Sequence, residues 1–230
     1  MYRCVLFDLD GTLLNTLEGL ADAGNYALSE LSLPTHPIEC YRSFVGNGIP
    51  KLIERMLPPN TEKAIFEKAH DLFCSYYDIH MNDKTFPYDG IAALLMRLKD
   101  SGIKLAVITN KAHSFAEGML HAAFGDIFDI IFGSVEGKPK KPDPYWALRA
   151  LETLSIKPEE ALYVGDSGVD MNTAKNAGIV SCGVLWGFRD RDELIGNGAK
   201  YLCKNSEELA ALIYGKDQVS SNCYENRADY

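Results

Sequence analysis

Short apolar runs recur along the chain, at 3–9, 104–109, 127–132, 161–165, 181–186 and 200–203. Between them lie stretches with helical spacing of apolar residues, at 90–101, 114–124, 144–155, 169–177 and 206–214. A strand that is apolar along its whole length is buried on both faces, and strands alternating with amphipathic helices predict a parallel sheet with helices on either side. The expected fold class is therefore α/β. Ligands of such sheets sit beyond the carboxyl ends of the strands.

The alternation breaks once. From about residue 15 to 83 the pattern is helical and contains no convincing strand. Leu17, Leu20, Ala21, Ala27, Leu28 and Leu31 can share one helix face, and Ile65, Ala69, Leu72, Phe73, Tyr76 and Tyr77 another. An all-helical insertion directly after the first strand would lie over the strand ends as a small cap domain. The plainer alternative is a larger helical layer. Pro34, Pro37, Pro58, Pro59 and Pro87 punctuate its turns and its return. The expected division is thus a core of residues 1–14 and 84–214 and a cap of 15–83. Residues 215–230 are polar and aperiodic, and read as a disordered tail.

The net charge of −9 and the absence of a basic stripe disfavour a nucleic-acid or anionic-membrane partner. The six cysteines are widely and irregularly spaced, without a C-x-x-C or Cys/His cluster, so no structural zinc site is expected and the chain reads as reduced. No run approaches the length of a membrane span. The first strand begins at residue 2 and carries Arg3, Asp8 and Asp10, unlike a signal peptide. These features predict a cytoplasmic protein, monomeric or homodimeric, with a small-molecule partner.

Candidate chemistry sits at the ends of the predicted strands. Asp8 and Asp10 share a face of the first strand, just before Gly11 and Thr12. Two such carboxylates suit a hard divalent cation with phosphate as co-ligand. A calcium loop fails, since its obligatory glycine and final ligand positions hold Leu13 and Gly19. Thr109-Asn110-Lys111 closes the second core strand, where a hydroxyl and backbone N–H groups could meet phosphate oxygens; a turn or helix cap is the plainer role. Lys138 and Lys141 both precede prolines, and either could aim an ammonium at phosphate instead of lying solvated. Gly165-Asp166-Ser167 ends another strand, placing Asp166 as a metal ligand, with Asp170 in the first turn of the next helix.

In the order Asp-x-Asp, Thr, Lys, Asp, these strand ends resemble the four motifs of the haloacid dehalogenase-like phosphatases, over nearly the whole chain to Tyr214. The resemblance implies a Rossmann-like core with a helical cap, and Mg2+ as cofactor. It implies Asp8 as a nucleophile that forms an aspartyl-phosphate, and Asp10 as general acid and then base. It places Mg2+ on Asp8, the Asp10 backbone carbonyl and Asp166, with Asp170 as ligand or support, and it selects Lys141 over Lys138. Thr109, Lys141 and backbone N–H groups near Gly11 and Asn110 would stabilise charge on the phosphoryl group. Asn15 stands where many relatives carry aspartate.

The opening through Thr16, the Val45-Gly46-Asn47-Gly48 loop, Thr109-Asn110-Lys111 and Gly183–Arg189 look most like phosphoglycolate phosphatases. That likeness implies 2-phosphoglycolate as substrate. Asn47 and Gly48 then belong to a cap loop whose glycines admit close backbone approach, and Arg42 and Lys51 flank it as candidate partners of a substrate carboxylate. Trp186 and Phe188 read as packing residues. Hydrolysis of pyrophosphate, a nucleoside monophosphate or a sugar phosphate is the nearest alternative, followed by a phosphosugar mutase. A receiver-like phosphoaspartate signalling domain is the non-enzymatic one, but it lacks the Asp-x-Asp-Gly-Thr order and the insertion.

Overall fold

The computed structural model describes residues 2–215. The tail predicted for 215–230 lies outside the described residues except for Gly215. Along the chain, β1 (Cys4–Phe7) and the two-residue β2 (Leu14–Asn15) precede four helices, α1 (Leu17–Glu30), α2 (Ile38–Phe44), α3 (Ile49–Met56) and α4 (Lys63–His80). The short β3 (Phe86–Pro87) returns the chain to α5 (Ile91–Asp100), β4 (Lys104–Ala112), α6 (His113–Phe124) and β5 (Ile130–Ser134). Then follow α7 (Tyr145–Leu154), β6 (Ala161–Gly165), α8 (Gly168–Ala177), β7 (Val180–Val184), α9 (Arg191–Gly196), β8 (Tyr201–Cys203) and α10 (Ser206–Tyr214).

The main sheet has the order β5-β4-β1-β6-β7-β8, and every ladder in it is parallel. β1 is buried along its length because alternate residues meet two different cores. Val5 and Phe7 join a cluster with α1, α4, α5, α6 and α10 residues. Cys4 and Leu6 face α7 and α8 through Ala147, Ala150, Leu151 and Ala174. Full burial of one such side chain is worth roughly 1.5–3 kcal/mol. The chain leaves β1 to build β4 and β5 on one side, then crosses back to build β6, β7 and β8 on the other. A crevice opens where the order reverses, at the carboxyl end of β1.

The helical insertion enters and leaves through an antiparallel ladder, Leu14 with Pro87 and Asn15 with Phe86. Two-residue strands have no readable period, so the sequence did not announce this ladder. Tyr41, Ile53, Phe73 and Tyr77 of the insertion are buried in the same cluster as one face of the sheet. Ala69 is buried, but Ile65 is 39% exposed, because it lies one turn beyond the stripe that meets α1. Asn15 accepts from the Leu17 N–H at 3.3 Å, so it shapes the entry to α1.

Strand boundaries differ from the sequence pattern: β1 ends at Phe7, so Asp8 and Asp10 lie beyond it instead of sharing a strand face, and three later strands shift as well. β5 begins at Ile130, because the Asp129 carboxylate accepts the Leu105 N–H at 3.0 Å and pairs with Lys99 and Lys104. β7 ends at Val184, and the Trp186 indole instead donates to the Thr12 carbonyl at 3.0 Å. β4 runs on to Ala112 through a register irregularity between Ile108 and Ala112. Such bulges re-aim side chains, and here Thr109, Asn110 and Lys111 are all buried in succession.

Candidate active site

Beyond β1, the Asp8 N–H still bonds the Val164 carbonyl at 2.9 Å, so the first carboxylate stands on the sheet itself. The Leu9 carbonyl then accepts the N–H groups of Thr12, Leu13 and Leu14 at 3.0–3.2 Å, folding the chain into a tight loop. Gly11 makes this possible twice over. Its φ is +84°, and a Cβ there would lie 2.2 Å from Asp166 Oδ2.

Asp166 follows β6, and Asp170 sits in the first turn of α8. Phe188 N–H donates to Asp166 Oδ2 at 2.7 Å, and Thr12 Oγ1 lies 3.5 Å from Oδ1. Ser167 caps α8 reciprocally with Asp170, whose Oδ2 accepts from the serine N–H at 3.1 Å and its hydroxyl at 2.6 Å. Asp8, Asp166 and Asp170 are buried, and one carboxylate oxygen from each falls within 4.8 Å of the others.

Lys141 joins this cluster. Its Nζ lies 2.8 Å from Asp8 Oδ1 and 2.6 Å from Asp170 Oδ1, whereas Lys138 is exposed. Asn110 fixes the lysine's backbone. Its Oδ1 accepts the Lys141 N–H at 2.9 Å, and its Nδ2 donates to the carbonyls of Lys141 and Gly46 at 3.2 and 3.1 Å. One carboxamide thus ties the sheet to the lysine loop and to the helical insertion. Leu9 N–H and Lys141 both bond Asp8 Oδ1, leaving Oδ2 without a protein donor among the described residues.

Burial, then the Asp170 carboxylate, pushes Asp8 up to about 7 despite Lys141. Burial, with Asp170 and Asp8, also holds Asp166 well above the ordinary carboxylate range. Lys141 stays firmly charged, because Asp170 and Asp8 outweigh the burial that opposes its ammonium. One ammonium among three crowded carboxylates leaves an excess of buried negative charge, which a hard divalent cation with oxygen ligands would relieve. The donor set fits such a cation.

Asp10 does not join the triad of carboxylates. Its side chain pairs with Lys111, at 3.1 and 3.3 Å, and Lys111 also donates to the Tyr77 hydroxyl of α4 at 2.8 Å. Asp8, Asp10, Thr109, Asn110, Lys111 and Gly48 border a cavity of about 30 Å3 beneath the insertion. Gly48, with φ +85°, brings the insertion loop against the Asn110 carbonyl, which a Cβ would approach to 3.2 Å. Asn47 turns its carboxamide oxygen to Arg55 at 2.8 Å. Neither flanking cation is placed as expected: Lys51 pairs with Glu54 at the surface, and Arg42 donates to the Gly187 carbonyl at 3.1 Å. Arg189 holds the end of α2, donating to the Arg42 and Val45 carbonyls.

The elements missed from the sequence are Lys111 as a buried cation, Tyr77 as its partner and the Phe188 N–H on Asp166. Lys111 had a signal, since it ends the same polar triplet as Thr109. A backbone donor such as Phe188 has none.

Carboxylates and a lysine at the switch point of a doubly wound sheet, under a helical insertion, define a hydrolase site of the phosphate-handling kind. The family model for haloacid dehalogenase-like hydrolases matches residues 5–184. A phosphoglycolate phosphatase from Neisseria meningitidis is 37% identical over 193 residues, covering 82% of each chain. A haloacid dehalogenase-like family hydrolase from Streptococcus pneumoniae superposes with a TM-score of 0.82 at 28% identity, covering 92% of this chain and 98% of that one. CbbY from Rhodobacter sphaeroides, solved in complex with phosphate, gives a TM-score of 0.77 at 29% identity, covering 91% and 96%. The chain belongs to the haloacid dehalogenase-like hydrolases, within the phosphoglycolate phosphatase-like family, and it is a phosphatase.

Proposed function

We propose that the protein is a Mg2+-dependent phosphatase that hydrolyses 2-phosphoglycolate to glycolate and phosphate. The observation that carries this reading is the convergence of Asp8, Asp10, Thr109 and Lys111 on one small cavity beside the Asp8–Asp166–Asp170 cluster. The relatives' shared name points the same way.

In this reading Asp8 Oδ2 attacks phosphorus and the ester oxygen leaves with a proton from Asp10. Water, deprotonated by Asp10, then attacks the aspartyl-phosphate, restoring Asp8 and releasing phosphate. Thr109 and Lys141 stabilise charge on the phosphoryl oxygens. Asp8, Asp166 and the Asp10 carbonyl would hold Mg2+, with Asp170 aligning Lys141. The ion supplies charge neutralisation between carboxylates and phosphate. The insertion, residues 15–83, serves as a cap, with Asn47 and Gly48 in the loop that meets substrate.

The test is phosphate release with Mg2+, as kcat/KM on 2-phosphoglycolate beside an aryl phosphate. A preference of about a hundredfold or more, about 2.7 kcal/mol, is expected. Comparable rates would keep the phosphatase and remove this substrate.

The cation pocket has its own test in Gly187. A Cβ at this residue would lie 2.2 Å from Asp166 Cβ and 2.5 Å from the Gly11 carbonyl. Gly187→Ala is therefore expected to displace Asp166 and raise the Mg2+ concentration for half-maximal activity by about tenfold or more, the scale of a disturbed ligand support. An unchanged Mg2+ titration would show that Asp166 does not bind the ion.

A further inference from the structure

We infer that Lys111 is the cation that receives the carboxylate of the substrate, and so selects an acidic phosphate ester over a neutral one. The inference rests on the phosphoglycolate reading and goes beyond it to the residue that does the choosing. Of the residues that border the cavity, Lys111 alone carries positive charge. The other cations are placed elsewhere. Lys141 bonds Asp8 and Asp170, Arg42 bonds the Gly187 carbonyl and Lys51 pairs with Glu54, while Lys138 and Lys140 are solvent-exposed, Lys140 at the Gly48 rim and outside the lining.

The Lys111 ammonium is fixed before any ligand arrives. Its side chain is only 3% exposed, and Asp10 and the Tyr77 hydroxyl hold it from two directions. Tyr77 is itself anchored, its hydroxyl 3.7 Å from Met119 Sδ and its ring stacked on Phe73. Leu20, Val45, Ile49 and Leu52 give the cavity an apolar share of its lining. In such a place an ion pair with a bound carboxylate is little screened, and a neutral group in its place would forgo that attraction. Because Lys111 touches Asp10, the proposed proton donor to the ester oxygen, a carboxylate it bound would lie close to that oxygen. This is the layout of 2-phosphoglycolate, whose carboxylate and ester oxygen share one carbon.

The experiment compares kcat/KM for 2-phosphoglycolate and 2-hydroxyethyl phosphate, which replaces the carboxylate with a neutral alcohol, with Mg2+ throughout. Wild type, Lys111→Met and Lys111→Gln are measured. Glutamine keeps a donor for Asp10 and Tyr77 but no charge, so a purely structural role would be rescued by it. Both variants are expected to slow both esters, as Asp10 loses its ion pair. Phosphoglycolate should fall at least about thirtyfold further, so that a wild-type preference of about a hundredfold collapses. If Lys111→Met does not fold, the ratio in Lys111→Gln decides alone. A variant that keeps the wild-type preference, or loses equally on both esters, overturns the inference and leaves the phosphoglycolate reading intact. A wild type without any preference removes that reading, and the inference with it.

Discussion

Asp8→Asn is expected to lower kcat at least about ten-thousandfold, about 5.4 kcal/mol at 1.36 kcal/mol per decade, on any phosphate ester, with the fold retained. An amide oxygen is a poor nucleophile, and the loss should appear in kcat because the attack itself is removed. The same variant should be more stable than wild type in the absence of metal. Burial and the Asp170 carboxylate push Asp8 up to about 7, above its unfolded value. The folded protein therefore holds that proton more tightly than the unfolded chain does. The ionised carboxylate weakens the fold fully above about pH 7 and ceases to do so below about pH 4, the unfolded range. In EDTA at pH 8, Asp8→Asn should melt higher than wild type, at about 2–4 °C per kcal/mol for a chain of this size. The gap should close as pH falls towards 4, and Mg2+ should raise the melting temperature of wild type more than that of the variant. Near-wild-type turnover in Asp8→Asn would falsify the nucleophile assignment.

The sheet and the site differ in how far the sequence revealed them. Runs such as Cys4–Phe7 and Ala161–Gly165 are apolar throughout because both their faces are covered, and that pattern survives without knowledge of any contact. Asp8, Lys141, Asp166 and Asp170 lie at or just beyond elements whose order could be read, so their convergence followed from topology. What could not be read depends on short or backbone-made features. The Leu14–Pro87 ladder has too few residues for a period, and the Phe188 N–H carries no side-chain signature. β4 carries a register irregularity between Ile108 and Ala112, so a regular period could not say that Thr109, Asn110 and Lys111 would all border one cavity. The sequence offers Asn110 for a backbone N–H or as a cap, and carries no sign that its carboxamide joins Gly46 to Lys141. Arg42 and Lys51 flank the right loop in sequence, yet their helices point them to Gly187 and Glu54.

Lys141→Met should cost both stability and rate, and the two losses should respond differently to metal. The lysine is buried between Asp8 Oδ1 at 2.8 Å and Asp170 Oδ1 at 2.6 Å. Removing one partner of such a buried pair leaves uncompensated charge, at a cost of about 3–5 kcal/mol, or roughly 10 °C in melting temperature. Methionine fills much of the same volume, so the loss is electrostatic and should shrink as pH falls below about 7, where Asp8 takes up its proton. Mg2+ should recover part of the stability, because the ion also neutralises the carboxylates. It should not recover the rate, since the positive charge aimed at the phosphoryl oxygens is gone; a loss of about a thousandfold in kcat, about 4 kcal/mol, is expected. Metal-independent recovery of rate, or an unchanged melting temperature in EDTA, would place Lys141 outside this role. The contrast with Asp8→Asn makes the pair informative. One variant removes a carboxylate from the cluster and gains metal-free stability, the other removes the cation and loses it, and both lose turnover. Only a site in which excess negative charge is held for an incoming cation and phosphate gives those opposite signs.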